Sequence, residues 1–310
     1  MKKYSREWTV TVALVLLMIS LAWLAPHFFQ TQPLLSRVTS QMPALIAAIG
    51  IALVIISRQI DISIGAQFGM CAVIAGLVAA AKLPFAVAIA AALGAGLLMG
   101  ALNGLLVAYL GLPSIVVTLA TMVTWQETLR LWQQGRLLNL PPGVQWFGMS
   151  QAQGQGMVIG VTLLILILFA WGMKNLAAGR HLYAVGSDAE AARLAGINPG
   201  HTSFGVFVMM GFLAAVAAVM NLVQSPQVQP SCGDGLELKA IAAAVVGGIA
   251  IRGGRGILWG VLPGLLLLAN VNPALTHLHQ PPYWEKAIQG LVILLAVVAD
   301  RFQNNKNPLR

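Results

Sequence analysis

PFAVAIAAALGAGLLMGALNGLLVAYL, residues 84–110, runs through 27 positions without one Asp, Glu, Lys or Arg. A helix needs about 20 consecutive apolar residues to cross the roughly 30 Å hydrocarbon core of a bilayer, so this run has the length of a membrane span with allowance for tilt. The rest of the chain repeats the pattern. Apolar runs punctuated by charge, Gly and Pro mark ten candidate helices, at residues 9–25, 43–57, 64–81, 84–110, 112–125, 157–173, 202–224, 237–251, 256–275 and 286–299. The runs starting at 43, 112, 237 and 286 are short for a crossing, and a short run tilts, breaks or re-enters only where protein or water meets its backbone.

Composition agrees. The 310 residues are 58% hydrophobic and 9% charged, against about 25% charged in a soluble domain. No room remains for a large soluble domain, so residues 1–310 read as one all-α, polytopic membrane domain. The N-terminus has the basic-then-apolar shape of a secretory signal, but its apolar run approaches spanning length and many more follow, which favours a retained first helix. Basic residues exceed acidic ones by 18 to 9, yet they are scattered between apolar runs and form no stripe suited to nucleic acid. Topology explains them better. With a cytoplasmic N-terminus and ten crossings, the inner loops hold twelve: Lys2, Lys3, Arg6, Arg58, Lys174, Arg180, Arg193, Arg252, Arg255, Arg301, Lys306 and Arg310. The outer loops hold six: Arg37, Lys82, Arg130, Arg136, Lys239 and Lys286. That asymmetry is the one expected of a protein with both termini inside. Cys71 and Cys232 supply neither a disulfide framework nor a metal spacing.

One polar passage stands out in the second half: GRHLYAVGSDAEAARLAGINPG, residues 179–200. In this topology residues 174–201 form a cytoplasmic loop. Ser187 and Glu190 match the S-x-x-E capping box, predicting a helix that starts there. Gly196 can end it in the left-handed conformation, and Pro199 blocks continuation. About eight residues, or roughly 12 Å, of isolated helix is marginal in water and needs a surface to pack on. Ala191, Leu194 and Ala195 provide a small apolar face, and that face suits either the chain's own membrane domain or a cytoplasmic partner.

Three further stretches share this character of boundary motif joined to apolar run: VIISRQIDISIGAQFGMCAVIAG at 54–76, LNGLLVAYLGLPSIVVTLATM at 102–122 and LKAIAAAVVGGIAIRGGRGILWGVLPG at 238–264. With GRHLYAVGSDAEAARLAGI, they resemble the permease subunits of bacterial ATP-driven monosaccharide importers of the ribose type, closest to the branch with autoinducer-2 and rhamnose importer permeases. The resemblance implies a non-catalytic inner-membrane subunit that carries a small neutral sugar-like molecule. It also implies three partners: a separate ATPase that binds the ATP and Mg, a second permease subunit, and a periplasmic binding protein. Gly186, Ser187, Asp188, Glu190, Ala191, Ala192, Arg193 and Gly196 would form the coupling contact with the ATPase.

Other motifs fit that frame. No Lys follows a Gly, so the chain has no Walker-type phosphate loop. The run Arg252, Gly253, Gly254, Arg255 reads as a tight cytoplasmic turn, its arginines serving orientation or ATPase contact. Arg58 and Asp61 lie at another inner boundary, where Asp61 is placed either to cap the next helix or, as the resemblance suggests, to serve at a gate. Ion-coupled carriers hold carboxylates or histidines at mid-span, and here the acidic residues and histidines fall in loops or at helix ends. An ion-coupled transporter or channel is therefore the runner-up, and a membrane enzyme comes third. The spans carry neutral amides instead: Gln67, Asn103, Asn221, Asn270 and Asn272. Such groups bond between helices or line a path for a polyol, which needs hydrogen bonds and no countercharge. The outer loop 126–156, with Trp132, Trp146 and Phe147, is the expected contact for the binding protein.

Overall fold

The computed structural model describes residues 30–277 without a break, and outside them only scattered positions between 10 and 23 and between 281 and 294. The candidate spans at 9–25 and 286–299 therefore lie largely outside the described residues. The regular structure of the described chain is helical apart from one two-residue ladder. Its elements are α1 (Thr31–Ile56), α2 (Ile64–Ala80), α3 (Phe85–Ala108), α4 (Ser114–Gln133), β1 (Leu138–Asn139), α5 (Gln151–Asn175), α6 (Ala177–Ser187), α7 (Ala189–Leu194), α8 (Pro199–Leu222), β2 (Gln227–Val228), α9 (Leu236–Val246), α10 (Val261–Ala269) and α11 (Val271–His277).

Four of these, α1, α3, α5 and α8, are long and apolar enough to cross a membrane. They form two layers. In α1 and α8, 89% and 67% of the spanning window is buried, against 28% and 22% in α3 and α5. Every residue from Met42 to Ile56 is buried, which makes α1 the central helix. The outer helices expose Leu98, Leu164, Leu168 and Trp171, side chains that lipid accepts as readily as a protein core does.

Backbone proximity holds the layers together. The most extensive helix pair is α3 with α8. Gly96, Gly100 and Gly104 fall at four-residue spacing on one face of α3, and a methyl on Gly96 or Gly100 would overlap the carbonyls of Gly211 or Phe207. Small residues at that spacing let two helices approach to van der Waals contact, which in lipid must replace the missing hydrophobic force.

Several expected crossings are built differently. The run at 43–57 is the second half of the 26-residue α1, and the run at 112–125 extends into the 20-residue α4. The run at 237–251 yields only the 11 residues of α9, about 16 Å of helix, too short to span alone. The run at 256–275 is divided into a 3-10 turn, α10 and α11.

Non-helical chain, the strand β2 followed by turns through Gly235, leads into α9. Val228 lies against Gly76, Pro230 against Gly69 and Gly233 against Gly65, so the segment runs antiparallel down the face of α2. The eleven steps of α2 from Gly76 to Gly65 span about 16 Å. At the far end of α2, Asn103 Nδ2 donates to Ser63 Oγ at 2.9 Å, level with a point about 8 Å short of the end of α3. Thus α2 and α9 both begin inside the bundle, where Gly65 and Gly233 touch.

The glycine seam gives a direct test. Gly211→Ala should lower stability by about 1–3 kcal/mol through overpacking against α3. Gly94→Ala, where an added methyl meets nothing within 4 Å, should be neutral. Thermal unfolding of both variants in the same detergent reads the difference.

Candidate coupling site and polar cavity

The site starts from local hydrogen bonding. Residues 174–201 are not a loop with one short helix but a folded helix pair. α6, not expected from the sequence, buries Gly179, Leu182, Val185 and Gly186 along one face. α7 follows as six residues, and its cap differs from the expectation by one position. Asp188 rather than Ser187 is the N-cap, its Oδ1 accepting from the amides of Glu190 at 2.9 Å and Ala191 at 3.0 Å. Ser187 is the last residue of α6. A carboxylate outcompetes the neighbouring hydroxyl here because it also complements the positive helix end. Glu190, freed from a capping box, pairs instead with the exposed Arg193 at 2.6 Å.

The C-terminus of α7 closes as expected. Gly196 has φ +81°, its amide donates to Arg193 O and that of Ile197 to Ala192 O, both at 3.0 Å. This is the pattern of a Schellman ending. Pro199 does more than block continuation, because it sits in the first turn of α8, whose cap Asn198 accepts from the His201 amide at 3.1 Å.

α7 does not lie on its own membrane domain. Of its residues only Ala192 is buried, while Ala191, Leu194 and Ala195 are exposed, Leu194 to 81%. The base of the pair is fixed firmly. Gly254 N–H donates to Ile56 O, the end of α1, at 2.8 Å. A methyl on Gly186 would overlap that same carbonyl, and one on Gly254 would overlap Ser187. Gly253 and Gly254 have φ of +81° and +69°, so the turn needs glycine twice over. Tyr183 Oη donates to Gly256 O at 2.8 Å, and burial raises its hydroxyl above the usual tyrosine range, keeping it a protonated donor. Three chain segments, from α1, α6 and the glycine turn, therefore meet backbone to backbone. Arg58, Arg193, Arg252 and Arg255 stand exposed around them.

Asp61 does not cap α2. It is fully buried, and its Oδ1 accepts from Ser63 N at 2.8 Å and Ser63 Oγ at 2.6 Å, while Oδ2 accepts from Gln67 Nε2 at 3.2 Å. Asn103 joins through Ser63. Two of the residues expected on a substrate path, Gln67 and Asn103, thus belong to a closed cluster around Asp61. Asn221 is half-buried near the end of α8, and Asn270 Nδ2 donates to Leu266 O at 2.6 Å, ending α10. None of the four lines the polar cavity at the other end of the bundle. That cavity, of about 420 Å³, is lined by Gln126, Arg130, Gln229, Ser231 and Asp234. In sequence its signal is weak: a polar patch ending the 112–125 run, and the apolar-poor stretch QSPQVQPSCGDG. Trp146 and Phe147 turn inward, Trp146 against Gly154 and Phe147 edge-on to Phe85 at 6.1 Å, while Trp132 is exposed.

A layered apolar bundle with a projecting, capped helix at one end and a polar cavity toward the other defines a membrane permease. The comparisons with known proteins agree. Residues 34–297 match the family described as "Branched-chain amino acid transport system / permease component", and the chain belongs to it. It is 34% identical over 297 residues, 96% of this chain, to the "Autoinducer 2 import system permease protein LsrC" of Salmonella typhi, covering 86% of that protein. The proteins of the same name from Escherichia coli K12 and Shigella flexneri also share 34% identity over 96% of this chain, covering 87% of each. No solved structure matches. The chain is accordingly a non-enzymatic, multi-pass permease of the bacterial inner membrane.

Two substitutions test the packed base. Gly254→Ala should destabilise by about 1–3 kcal/mol, since the methyl meets Ser187 on a left-handed backbone. Tyr183→Phe should cost about 1 kcal/mol for the lost bond to Gly256 O, with membrane insertion unchanged. Thermal unfolding and membrane yield measure both.

Proposed function

We propose that the chain is the membrane subunit of an ATP-binding-cassette importer for a small neutral sugar or sugar-like molecule, such as autoinducer-2, rhamnose or a ribose-like pentose. Relatives named as autoinducer-2 import permeases support a substrate of this class. Residues 174–201 face the cytoplasm. There α7, with Gly186, Ser187, Asp188, Glu190, Ala191, Ala192, Arg193 and Gly196, docks into a separate ATPase that binds ATP and Mg. A second permease subunit, identical or related, completes the path, and a periplasmic binding protein delivers the solute.

The observation that carries this reading is the pairing of an exposed α7 with a rigid base. Burying Leu194 on a partner would contribute about 1.5–3 kcal/mol. The Schellman ending and the Asp188 cap hold α7 in shape, and the backbone junction of Gly186, Ile56 and Gly254 passes its displacement to α1 and to the turn before α10. A nucleotide-driven push on α7 thereby becomes a shift of the central helix, a rigid-body transmission of the kind seen in domain closures.

Ala191→Arg places a long cation on the docking face and leaves the cap untouched. It should retain wild-type membrane level and thermal stability while losing the co-purifying ATPase and at least tenfold of the uptake. Asp188→Ala, which removes the cap, costs about 1 kcal/mol of helix stability and should reduce uptake partially. Wild-type uptake by Ala191→Arg in a verified, assembled complex would sink the assignment.

An ion-coupled carrier is the second reading, and the buried Asp61 cluster is the one feature favouring it. Dissipating the proton and sodium gradients while ATP is maintained separates the two. Uptake should persist, and its collapse would favour ion coupling.

A further inference from the structure

The geometry points to the cavity between α4 and the non-helical segment 229–234 as a water-filled well that binds the transported solute, a neutral molecule with vicinal hydroxyls. This inference deepens the proposed transport of a sugar-like molecule and rests on that reading for the identity of the solute.

The well is argued from depth. From Val228 to Gly233 the chain descends about 16 Å along α2, and Asp234 follows immediately, exposed. Non-helical backbone is tolerated at membrane depth only where protein buries it or water reaches it, and an ionised Asp facing lipid there would be strongly disfavoured. The segment is a run of turns, the amide of Cys232 returning to Gln229 O and that of Asp234 to Ser231 O, and these turns leave Gln229, Ser231 and Asp234 open while Pro230 and Cys232 are partly covered. The open side chains face the cavity. Across it stand Gln126 and Arg130, one helical turn apart on α4. α4 is 20 residues long yet is not apolar enough to count as a span, and its own chain buries only Val117, Thr118, Leu129 and Gln133. Its remaining surface is mixed: Leu119, Val123 and Leu131 are exposed as lipid-facing side chains are, while Gln126 and Arg130 line the cavity.

The lining sets the solute class. At about 420 Å³ the well has the size of a small-molecule site. Gln126, Gln229 and Ser231 each both donate and accept, Arg130 donates and Asp234 accepts. Arg130 carries its own neutraliser in Glu127, at 2.7 Å, and Asp234 is the one carboxylate in the lining. One negative charge is left, which disfavours anionic solutes and is compatible with a neutral one. The two oxygens of a carboxylate accept from hydroxyls on adjacent carbons, and a guanidinium donates to their lone pairs. Asp234 and Arg130 are therefore the residues expected to discriminate a vicinal diol.

Two measurements on the assembled complex in nanodiscs test this. In a Cys232→Ser background, Ser231→Cys and Gln126→Cys should react with a charged methanethiosulfonate, and Leu98→Cys on the lipid face should not. Inert cysteines at 231 and 126 would overturn the well, whatever the substrate is. Separately, D-ribose, L-rhamnose or autoinducer-2, whichever the wild type imports, should slow labelling at 231, and Asp234→Asn should raise its KM at least tenfold with Asp234→Glu partly restoring it. A reactive well with unaltered KM in Asp234→Asn would overturn the diol site. Failure of the wild type to import any of the three would instead count against the sugar-importer reading and leave the labelling result standing.

Discussion

The constraint on which the rest of the architecture depends is that a backbone amide inside a bilayer must find its partner within the protein. Helices meet it automatically, so the informative places are the ones where the chain leaves the helix. Between α1 and α2 the accounting is nearly complete. The amides of Ser57, Arg58 and Gln59 return to Leu53, Ile55 and Val54, those of Ile60 and Ile62 reach Ser114 Oγ and Thr118 Oγ1 at 3.2 Å, and that of Ser63 reaches Asp61. The match is geometric: hydroxyls four apart on a helix lie about 5–6 Å from each other, close to the two-residue repeat of an extended strand. Two hydroxyls on α4 thereby act as a short stretch of β-partner. They also tie α4 to the segment that carries Asp61.

The same constraint explains the glycines. Where two irregular segments must satisfy each other, their backbones have to touch, and a side chain at the contact would hold them apart. Gly186, Gly254 and the Ile56 carbonyl form one such contact, and Gly65 with Gly233 forms another. The first joins the projecting helix to the central one. The second sets the depth at which α2 and α9 begin and hence the floor of the polar well. Discontinuous helices meeting inside a bundle are a recurrent device of transporters, because they bring polar groups to a depth that an unbroken helix would fill with apolar side chains.

How far the sequence foretold this can be judged residue by residue. Length and apolarity located α3 and α8 to within three residues and the body of α5, whose helix starts six residues before the apolar run, because a continuous apolar run has one stable fate in lipid. The same logic failed at 237–251, where the run is apolar and yet only Leu236–Val246 is helical. It is preceded by QVQPSCG, residues 227–233, and no periodicity announces a run of turns packed on a helix face. In residues 174–201 the helix end at Gly196 is legible in sequence and the cap is displaced by one residue, since Ser187 and Asp188 are both competent caps and the extension of α6 through Ser187 decides between them. α6 was missed because Gly179 and Gly186 argue against a helix locally. They are tolerated because Met173 and Ile56 leave no space for larger residues there.

The Asp61 cluster shows why polar residues within the bundle divide into two kinds. Asn103 and Gln67 looked in sequence like candidates for a polyol path, yet both are sealed, and the oxygens Asn103 Oδ1 and Gln67 Oε1 lack partners among the described residues while their nitrogens serve Ser63 and Asp61. A buried carboxylate held by donors alone needs those nitrogens turned toward it, and the oxygens are then turned away as a consequence of amide geometry. The cluster therefore spends its hydrogen-bonding capacity on fixing the start of α2. Gln229, Ser231 and Asp234 are the reverse case: side chains on irregular backbone, open to a cavity, which under the proposed reading are available to a passing solute. Burial separates the residues that build the crossing from those placed to serve it.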